Sequence, residues 1–524
     1  MLLNMNFIVK ALLGLCLVNS AFSARILFVM IAPSLSHHIF FRHLIKELSF
    51  RGHDVVSISP DPMNDPKLTN ITEIDIHTET YDAFDARKWL ETVQYNKPSS
   101  EISLMRSFLP LFYTQADNVL SAPKVQELIQ NKNEHFDLVI VEMLMFNAHL
   151  FALRERFNCP AIGLASLDTS LNAMDAIGNP TDPNYYGSFF TEFSGGNLSF
   201  WERLQLLWHH IDFRLYYYLE YLPISDAMIA KHFNITDKTA WDLEKSVDLI
   251  LTNTNPIFHI PRPKVPNYID IGGMHMRERK PLPKDLKQFL DDSKQGVIYF
   301  SLGSNVKSTN LPAEKRAAIL NVFRQLPYNI LWKWENDTLP DKPANVLIKS
   351  WLPQQDVLDH PNLKAFITQG GIQSMEEAIR SNVPLICMPF GGDQKFNARR
   401  IADLGIGRRL PFDDITADTF LDAITDVASN PKYKKSITKL ASVLWDQPTK
   451  PLDRAVWWVE YVIRHGGAKH LRSPAADFPW YKYLMLDIIG FILAVVIIAL
   501  IVIIKVIKLL FRIIPLKKIK LKEQ

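Results

Sequence analysis

The residues between 351 and 397 carry most of the chemistry that this chain displays: WLPQQDVLDHPNLKAFITQGGIQSMEEAIRSNVPLICMPFGGDQKFN. A short apolar strand pattern over 363–368 runs through Gln369 into Gly370-Gly371, and a helix pattern bearing Gln373, Ser374, Glu376 and Glu377 follows. Glycines at a strand-to-helix turn let the backbone come close to a ligand, and the helix N-terminus offers unpaired N–H groups to an anion. A second strand pattern over 383–388 ends at Pro389 and leads into Gly391-Gly392-Asp393-Gln394. In a parallel α/β sheet ligands bind at the carboxyl ends of strands, so both loops face one crevice. Each residue alone has a plainer reading: Trp351 as a core or interface residue, Glu377 as a solvated helix residue, Asp393 as the N-cap of a helix over 394–404. In this order and spacing they have the form of a nucleotide-sugar site.

This segment resembles the signature of the UDP-glycosyltransferase family. The resemblance extends over nearly the whole chain and is nearest to the membrane-bound insect branch. It implies that Trp351 stacks on uracil, that Gln354 and Glu377 bond the ribose hydroxyls, that Gln369, Gly371, Gln373 and Ser374 lie at the diphosphate, and that Asp393 and Gln394 read the hydroxyls of the sugar. The residue types suit those roles, since an indole offers a flat apolar face to a base and a carboxylate accepts two hydrogen bonds from a diol. Many members of the family carry His before the glycine pair where this chain has Gln369. An amide donates to a phosphate oxygen without carrying a positive charge.

Transfer to a hydroxyl needs a base, because the acceptor must lose its proton as it attacks the anomeric carbon. A neutral imidazole, with an ordinary pKa of about 6.5, suits that task. Ser36-His37 follows the first strand and matches the family's base position; His38 is adjacent, and the register between the two is open from sequence. A carboxylate is expected to orient the imidazole. The family usually places Asp after the strand corresponding to 136–141, and this chain has Glu142 there, one methylene longer. Asp137 reads as structural. Attack opposite the departing UDP is in-line and inverts the anomeric centre, so an α-linked donor yields a β-glycoside. No Asp-x-Asp motif is present. The leaving group is therefore expected to rest on helix N–H groups with Ser304, Gln373 and Ser374, without a metal or other cofactor; the UDP-sugar is a substrate.

The elements that must position these groups fall into two α/β halves. Apolar strand patterns at 25–31 and 55–59 flank a helical stretch over 37–51 stopped by Gly52, a βαβ unit. Another strand is expected at 136–141. Regularity fades over 168–199, and 201–222 (WERLQLLWHHIDFRLYYYLEYL) reads as an aromatic helix, either core or an apolar surface for acceptors and membrane. Pro256, Pro261, Pro263 and Pro266 mark a linker. The second half begins at Gly296 with VIYFSLGS over 297–304, and further strands are expected at 329–332 and 346–349. The resemblance implies the GT-B fold, two facing Rossmann-like domains, with Gly303 and Ser304 adding diphosphate contacts. The expected divisions are 24–265 for the acceptor half and 266–475 for the donor half, which includes a segment over 451–471 similar to the family's closing helix.

The ends set the expected topology. Residues 1–23 read as a signal peptide with an apolar run over 7–18 and small residues before the cut. Residues 484–504 supply a span of the length that a bilayer requires, and 505–524 form a basic tail that belongs in the cytosol by the positive-inside rule. Lys520 and Lys522 resemble an endoplasmic-reticulum retrieval signal, and Asn70, Asn197, Asn234 and Asn336 head glycosylation triplets. A type I protein of the endoplasmic reticulum membrane, with lumenal catalytic domains, is the expectation. Composition agrees: 524 residues at 48% hydrophobic provide two domains and an anchor, and a net charge of +3 gives no reason to expect nucleic acid. Cys16, Cys159 and Cys387 do not suggest a disulfide framework. The expected substrates are a UDP-sugar, by resemblance UDP-glucose, and small lipophilic acceptors, in detoxification or metabolism. A transferase dedicated to one endogenous steroid or lipid, and a non-catalytic binding relative, are the alternatives. Homo- or hetero-oligomerisation is left open.

Overall fold

A computed structural model describes residues 23–82, 100–144 and 147–513. The leader before Ser23, Cys16 and the tail lysines from Lys517 onward lie outside the described residues.

Runs of apolar residues become central strands because a parallel sheet covered on both faces buries every side chain. The first sheet contains β1 (Arg25–Val29), β2 (Asp54–Ser59), β3 (Ile71–Asp75), β4 (Leu138–Glu142), β5 (Ala161–Ala165), β6 (Leu249–Thr252) and β7 (Tyr268–Asp270), in the order β3-β2-β1-β4-β5-β6-β7. The second contains β8 (Val297–Ser301), β9 (Asn329–Lys333), β10 (Val346–Lys349), β11 (Leu363–Thr368), β12 (Leu385–Cys387) and β13 (Gly407–Arg409), in the order β10-β9-β8-β11-β12-β13. All pairings are parallel. Strand alternation sends Leu27, Val29, Val139 and Val141 into one core layer and Ile26, Phe28, Leu138 and Ile140 into the other. In the second sheet Ile298 and Phe300 face one layer while Val297 and Tyr299 face its opposite.

Strand order reverses between β1 and β4 and again between β8 and β11. These are the switch points of the two sheets, where crevices open at the carboxyl ends of strands. The expected base and its carboxylate follow β1 and end β4; the expected phosphate loops follow β8 and β11.

Two boundaries differ from the sequence reading. The first sheet continues past residue 265 to β7, because Tyr268 and Ile269 are buried strand residues despite the neighbouring prolines. The helix Pro451–His465 returns to the first half: its Ala455, Val456, Val459 and Val462 share a core with Ile26, Phe40 and Leu44. It ends at Gly466 in the left-handed conformation (φ 62°) that releases a helix without a Cβ clash.

The aromatic segment is core on one face and exposed on the other. The helix Phe200–Tyr216 starts with a Ser199–Glu202 capping box and buries Leu206, His210, Phe213 and Tyr216. Its opposite face leaves Trp201 (68%) and Trp208 (62%) exposed, with Leu204, Ile211 and Leu215. Cys159 and Cys387 are free and buried. Of the glycosylation triplets, Asn197 and Asn336 are exposed, whereas the Asn70 amide donates to the Ser49 and His53 carbonyls at 2.8 and 2.7 Å.

Contacts divide the chain into a unit ending at Arg472 and a second from Ser473 onward. The second contains the helix Leu486–Ile513, 28 residues with a mean hydropathy of 3.3 in its most apolar stretch, long and apolar enough to cross a membrane. It starts near the expected span over 484–504 and runs nine residues further than Ile504, to Ile513.

Candidate active site

His37 lies in the first turn of the helix Leu35–Phe50, immediately after the β1 loop. Its Nδ1 is 2.7 Å from Glu142 Oε1, joining residues 105 positions apart. Glu142 is fully buried at the end of β4, and its other oxygen accepts from the Ala32 N–H at 3.3 Å. The extra methylene of Glu is thus absorbed by a carboxylate held from two sides. His38 points the other way: it is buried, with Nε2 2.7 Å from the Ala32 carbonyl and Nδ1 3.3 Å from Ser59 Oγ. Burial lowers its pKa despite the nearby Glu142 and Asp61 charges. Of the two adjacent histidines, His37 is the one that lines the cleft.

His37, Gly303, Ser304, Trp351, Gln354, Gln369, Gly371, Gln373, Ser374, Glu377, Asp393 and Gln394 all line one cleft. Glu142 sits behind His37. The glycine turns are demanding: Gly370 has φ 91°, and a Cβ there would stand 2.2 Å from Cys387 Sγ. Gly303 has φ 77°, and its Cβ would meet the Gln369 amide nitrogen at 2.4 Å. Glycine is the residue that combines such a backbone with so close an approach. The Gln369 side-chain oxygen is buried without a hydrogen-bond partner.

Trp351 is 58% exposed, which removes its reading as a core residue. The Lys333 ammonium lies 5.7 Å from its ring centroid. Glu377 accepts from Gln354 at 2.6 Å and from Gln355 at 3.0 Å, and Tyr299 donates to Gln354 at 2.9 Å. Burial pushes the Glu377 carboxyl up to about 7, opposed by those amide donors. Asp393 begins the helix Gln394–Asp403 without capping it. Instead it accepts from the Ile372 N–H at 3.2 Å and from Asn397 at 2.6 Å, which ties the second loop to the start of the helix Ile372–Arg380. Burial raises the Asp393 pKa to about 6. The Gln394 side-chain oxygen accepts from the Phe390 and Gly391 N–H groups at 2.7 and 3.1 Å.

Gln373 is engaged elsewhere. Its amide donates to the Ser36 carbonyl at 3.0 Å, and the Asn305 amide and Ser34 hydroxyl are paired at 2.9 and 3.3 Å, so hydrogen bonds cross between the halves beside His37. The sequence reading did not single out Asn305, Arg277, Lys333, Tyr299 or Gln355, which also line the cleft. Lys333 ends a strand, Asn305 lies in a turn, Arg277 on the connector, Tyr299 inside β8 and Gln355 in the short helix Gln354–Leu358, each a single residue that no local pattern marks. Of the half expected to hold the acceptor, 24–265, this cleft is bordered by Ser36, His37, Ile39 and Leu167; 83–99 and 145–146 lie outside the described residues. Among the described residues no three His, Cys, Asp or Glu side chains converge as a metal site.

Two Rossmann-type sheets, each with its switch point at a shared crevice, define a GT-B glycosyltransferase fold. A solved structure titled as the glycotransferase of kitacinnamycin has the same fold, with a TM-score of 0.56 at 19% identity over 84% of this chain and 98% of its own. The family model "UDP-glucoronosyl and UDP-glucosyl transferase" matches residues 25–521, and the chain belongs to that family. It is 33% identical to UDP-glycosyltransferase UGT5 of Dactylopius coccus, over 92% of this chain and 91% of the relative. It is also 32% identical to human UDP-glucuronosyltransferase 1A8, over 88% and 87% respectively. The chain is accordingly an enzyme of the UDP-glycosyltransferase class.

Proposed function

We propose that this enzyme transfers glucose from UDP-glucose, with inversion, to a hydroxyl of small lipophilic acceptors. The His37–Glu142 contact at 2.7 Å, facing Asp393 and Gln394 across one cleft, carries the reading. Glu142 holds the proton of His37 on Nδ1, which leaves Nε2 to accept the acceptor proton. The acceptor oxygen bonds to the anomeric carbon as the bond from that carbon to the UDP oxygen breaks, and the electron pair leaves with UDP. Negative charge grows at the diphosphate, next to Ser304, Ser374 and the N–H groups of Gln373 and Ser374 in the first turn of the helix Ile372–Arg380, that of Ile372 being held by Asp393. Gln373 reaches the diphosphate after releasing the Ser36 carbonyl. Asp393 and Gln394 hold the sugar hydroxyls, Trp351 the uracil, and Gln354 and Glu377 the ribose.

The distribution of charge supports glucose over glucuronate. Among the described residues lining the cleft, the cationic side chains besides the titratable His37 are Arg277 and Lys333. Arg277 forms a two-pronged ion pair with Asp356, and Lys333 pairs with Glu335 at 2.9 Å beside Trp351, at the uracil end. Asp393 stands at the sugar end, where a uronate would meet a carboxyl group. The helix Leu486–Ile513 supports a single-pass anchor, and Lys505, Lys508 and Arg512 at its far end support the catalytic halves being lumenal in an internal membrane system such as the endoplasmic reticulum. Exposed apolar acceptors of xenobiotic or endogenous origin fit such a location.

Microsomes containing the full chain or His37→Ala, given labelled UDP-glucose or UDP-glucuronate with a panel of phenols and steroids, test the proposal. Glucoside formation that falls by a factor of about 10² to 10⁴ with His37→Ala is expected. Undiminished turnover in the variant would remove the base, and turnover with UDP-glucuronate alone would remove the donor assignment.

A further inference from the structure

The segment that leaves β7 for the second half carries His275, and nothing in the transfer reaction described above uses it. Its imidazole is 1% exposed and lies between two acidic residues of the helix Ile372–Arg380. Nδ1 is 3.7 Å from Glu376 Oε2, and Nε2 is 3.6 Å from Glu377 Oε1. Both ring nitrogens and Glu376 Oε2 are buried without a hydrogen-bond partner. Buried unpaired polar atoms are rare in folded proteins, and three converging at one point need a reason.

We propose that His275 is a positioning residue for donor binding: its Nε2–H aims at Glu377 and keeps that carboxylate ionised and directed at the ribose, while Glu376 fixes the tautomer from Nδ1. The proposal rests on the assignment of Glu377 to the ribose. In this arrangement Glu376 is a protonated acid donating toward Nδ1, and the single imidazole proton sits on Nε2. A neutral imidazole has one donor and one acceptor, so one neighbour must give a proton and the other must take one. Burial acts in the same sense, lowering the His275 pKa to about 3 and raising that of Glu376. The gaps of 3.6 and 3.7 Å lie just beyond hydrogen-bond length, and the proposal requires the one to Glu377 to close when the donor binds.

The surroundings single out Glu377 as the group that this pair serves. The other charged or titratable groups facing His275 are Arg380 on the same helix as the two glutamates and His43 on the helix Leu35–Phe50; the Gln373 backbone carbonyl, a rival acceptor for the ring at a geometry short of a full hydrogen bond, and the Phe40 ring (5.8 Å) complete the shell. Glu376 is also met by the Asn253 side chain and the Gly273 backbone. Asn253 in turn donates to the Ser166 carbonyl at 3.0 Å and accepts from the Gly273 N–H at 3.3 Å. Gln355, which donates to Glu377, donates to the His275 carbonyl at 3.2 Å as well. A chain of polar contacts thus runs from the carboxyl ends of the first sheet, through Asn253, Glu376 and His275, to the carboxylate at the ribose position. Donor binding on the second half is tied in this way to the connector and to the first half.

The test is steady-state kinetics of the full chain in microsomes with UDP-glucose varied at saturating acceptor, from weakly acidic to neutral pH. His275→Leu is expected to raise KM for UDP-glucose about tenfold, the worth of one hydrogen bond to a charged group, with kcat changed by less than about twofold. The loss of an N–H donor to the ionised form raises the pKa of Glu377, so the acid limb of 1/KM moves to higher pH. His275→Gln, whose amide nitrogen reaches the place of Nε2, is expected to restore KM, whereas His275→Asn, whose donor stops at the place of Nδ1, is not. The Gln and Asn variants decide the matter even if the Leu variant does not accumulate. Equal KM for Gln and Asn, with an unmoved acid limb, would overturn the proposal and leave His275 a packing residue. Glu377→Ala separates the two levels: if it leaves KM unchanged, the ribose assignment itself fails, and if it raises KM while every His275 variant does not, only the role of His275 fails.

Discussion

The two halves are built alike and do different chemistry at the same topological place. In the first sheet the switch point between β1 and β4 presents His37 and Glu142, an imidazole on a buried carboxylate. In the second the switch point between β8 and β11 presents Gly303, Gln369 and Gly371, which are backbone and amides. In the proposed reaction one crevice moves a proton and the other receives an anion. The Rossmann topology supplies two facing positions, and the side chains at four strand ends decide the labour of each.

This contrast predicts a kinetic division. Substitutions at the first switch point lower kcat, because proton transfer belongs to the transition state, whereas substitutions at the second raise KM for the UDP-sugar. The largest effect is expected from Glu142→Ala. Among the described residues Glu142 is the side chain that holds His37 Nδ1, and its loss lets the ring turn, with kcat falling about 10²- to 10⁴-fold and KM for UDP-glucose held within about threefold. Trp351→Ala is the mirror case, with KM raised and kcat kept. A Glu142→Ala enzyme whose loss lay wholly in donor KM would dissolve the division.

Glycines at the second switch point come next. Gly370→Ala forces a Cβ to within 2.2 Å of the buried Cys387 sulfur at φ 91°, and neither backbone nor thiol has room to yield. A cost of about 2–4 kcal/mol is expected, combining strain and overpacking. Gly303→Ala meets the far end of the flexible Gln369 side chain, which swings aside, so the backbone strain remains as the main cost, about 1–2 kcal/mol. Thermal melts of the two variants should rank in that order; the reverse order would show Gln369 to be as rigid as the sulfur.

The same contrast explains what the sequence disclosed. Central strands such as VIYFS are legible because burial on both faces makes them apolar throughout, while β13 (Gly407–Arg409) hides as an edge strand of glycine and arginines. The donor groups from Trp351 to Gln394 lie within one stretch, and their order alone suggested the site. His37 and Glu142 belong to no local pattern, since 105 residues separate them, and they came from resemblance. Arg277, Lys333 and Asn305 gave no signal, since a lone residue on a connector or at a strand end acquires its neighbours through topology. Nor does the amphipathic helix Pro451–His465 announce that its apolar stripe will be covered by the other half.

The pH dependence of the donor half sharpens the comparison further. Glu377 and Asp393 are raised to about 7 and about 6 from ordinary values of 4.5 and 3.8. A carboxyl whose folded pKa is raised contributes stability that is complete below its unfolded pKa and is lost as pH rises through the folded one. The unliganded enzyme should therefore lose stability as pH climbs from about 4 to about 7 on account of these two groups. The ligand works in the opposite direction, because the ribose and sugar hydroxyls donate to ionised carboxylates. Donor affinity should improve by several-fold over the same interval, and UDP-sugar should stabilise the protein most near neutrality. Melting curves with and without UDP-glucose across that range check both signs; a stabilisation by donor that is flat with pH would mean that the two carboxyls do not face it.

The smallest effect is expected at Gln369, where this chain departs from the His that many relatives carry. Its side-chain nitrogen lies against Gly303 and its oxygen is buried without a partner. Gln369→His offers the diphosphate a ring that is charged below its pKa, and a charged donor is about twice as strong as a neutral one. Two features work against the gain. The residue is 8% exposed, so burial opposes protonation, and the start of the helix Ile372–Arg380 is already electropositive. The net expectation is a KM for UDP-glucose lowered by about two- to threefold at weakly acidic pH and unchanged above neutrality, where the ring is neutral and no better than the amide. An improvement that persisted at alkaline pH would assign the effect to ring shape and packing against Gly303. A KM raised at every pH would mean that the amide and the Gly303 turn have become fitted to one another, with the turn and not the charge setting the affinity of the donor half.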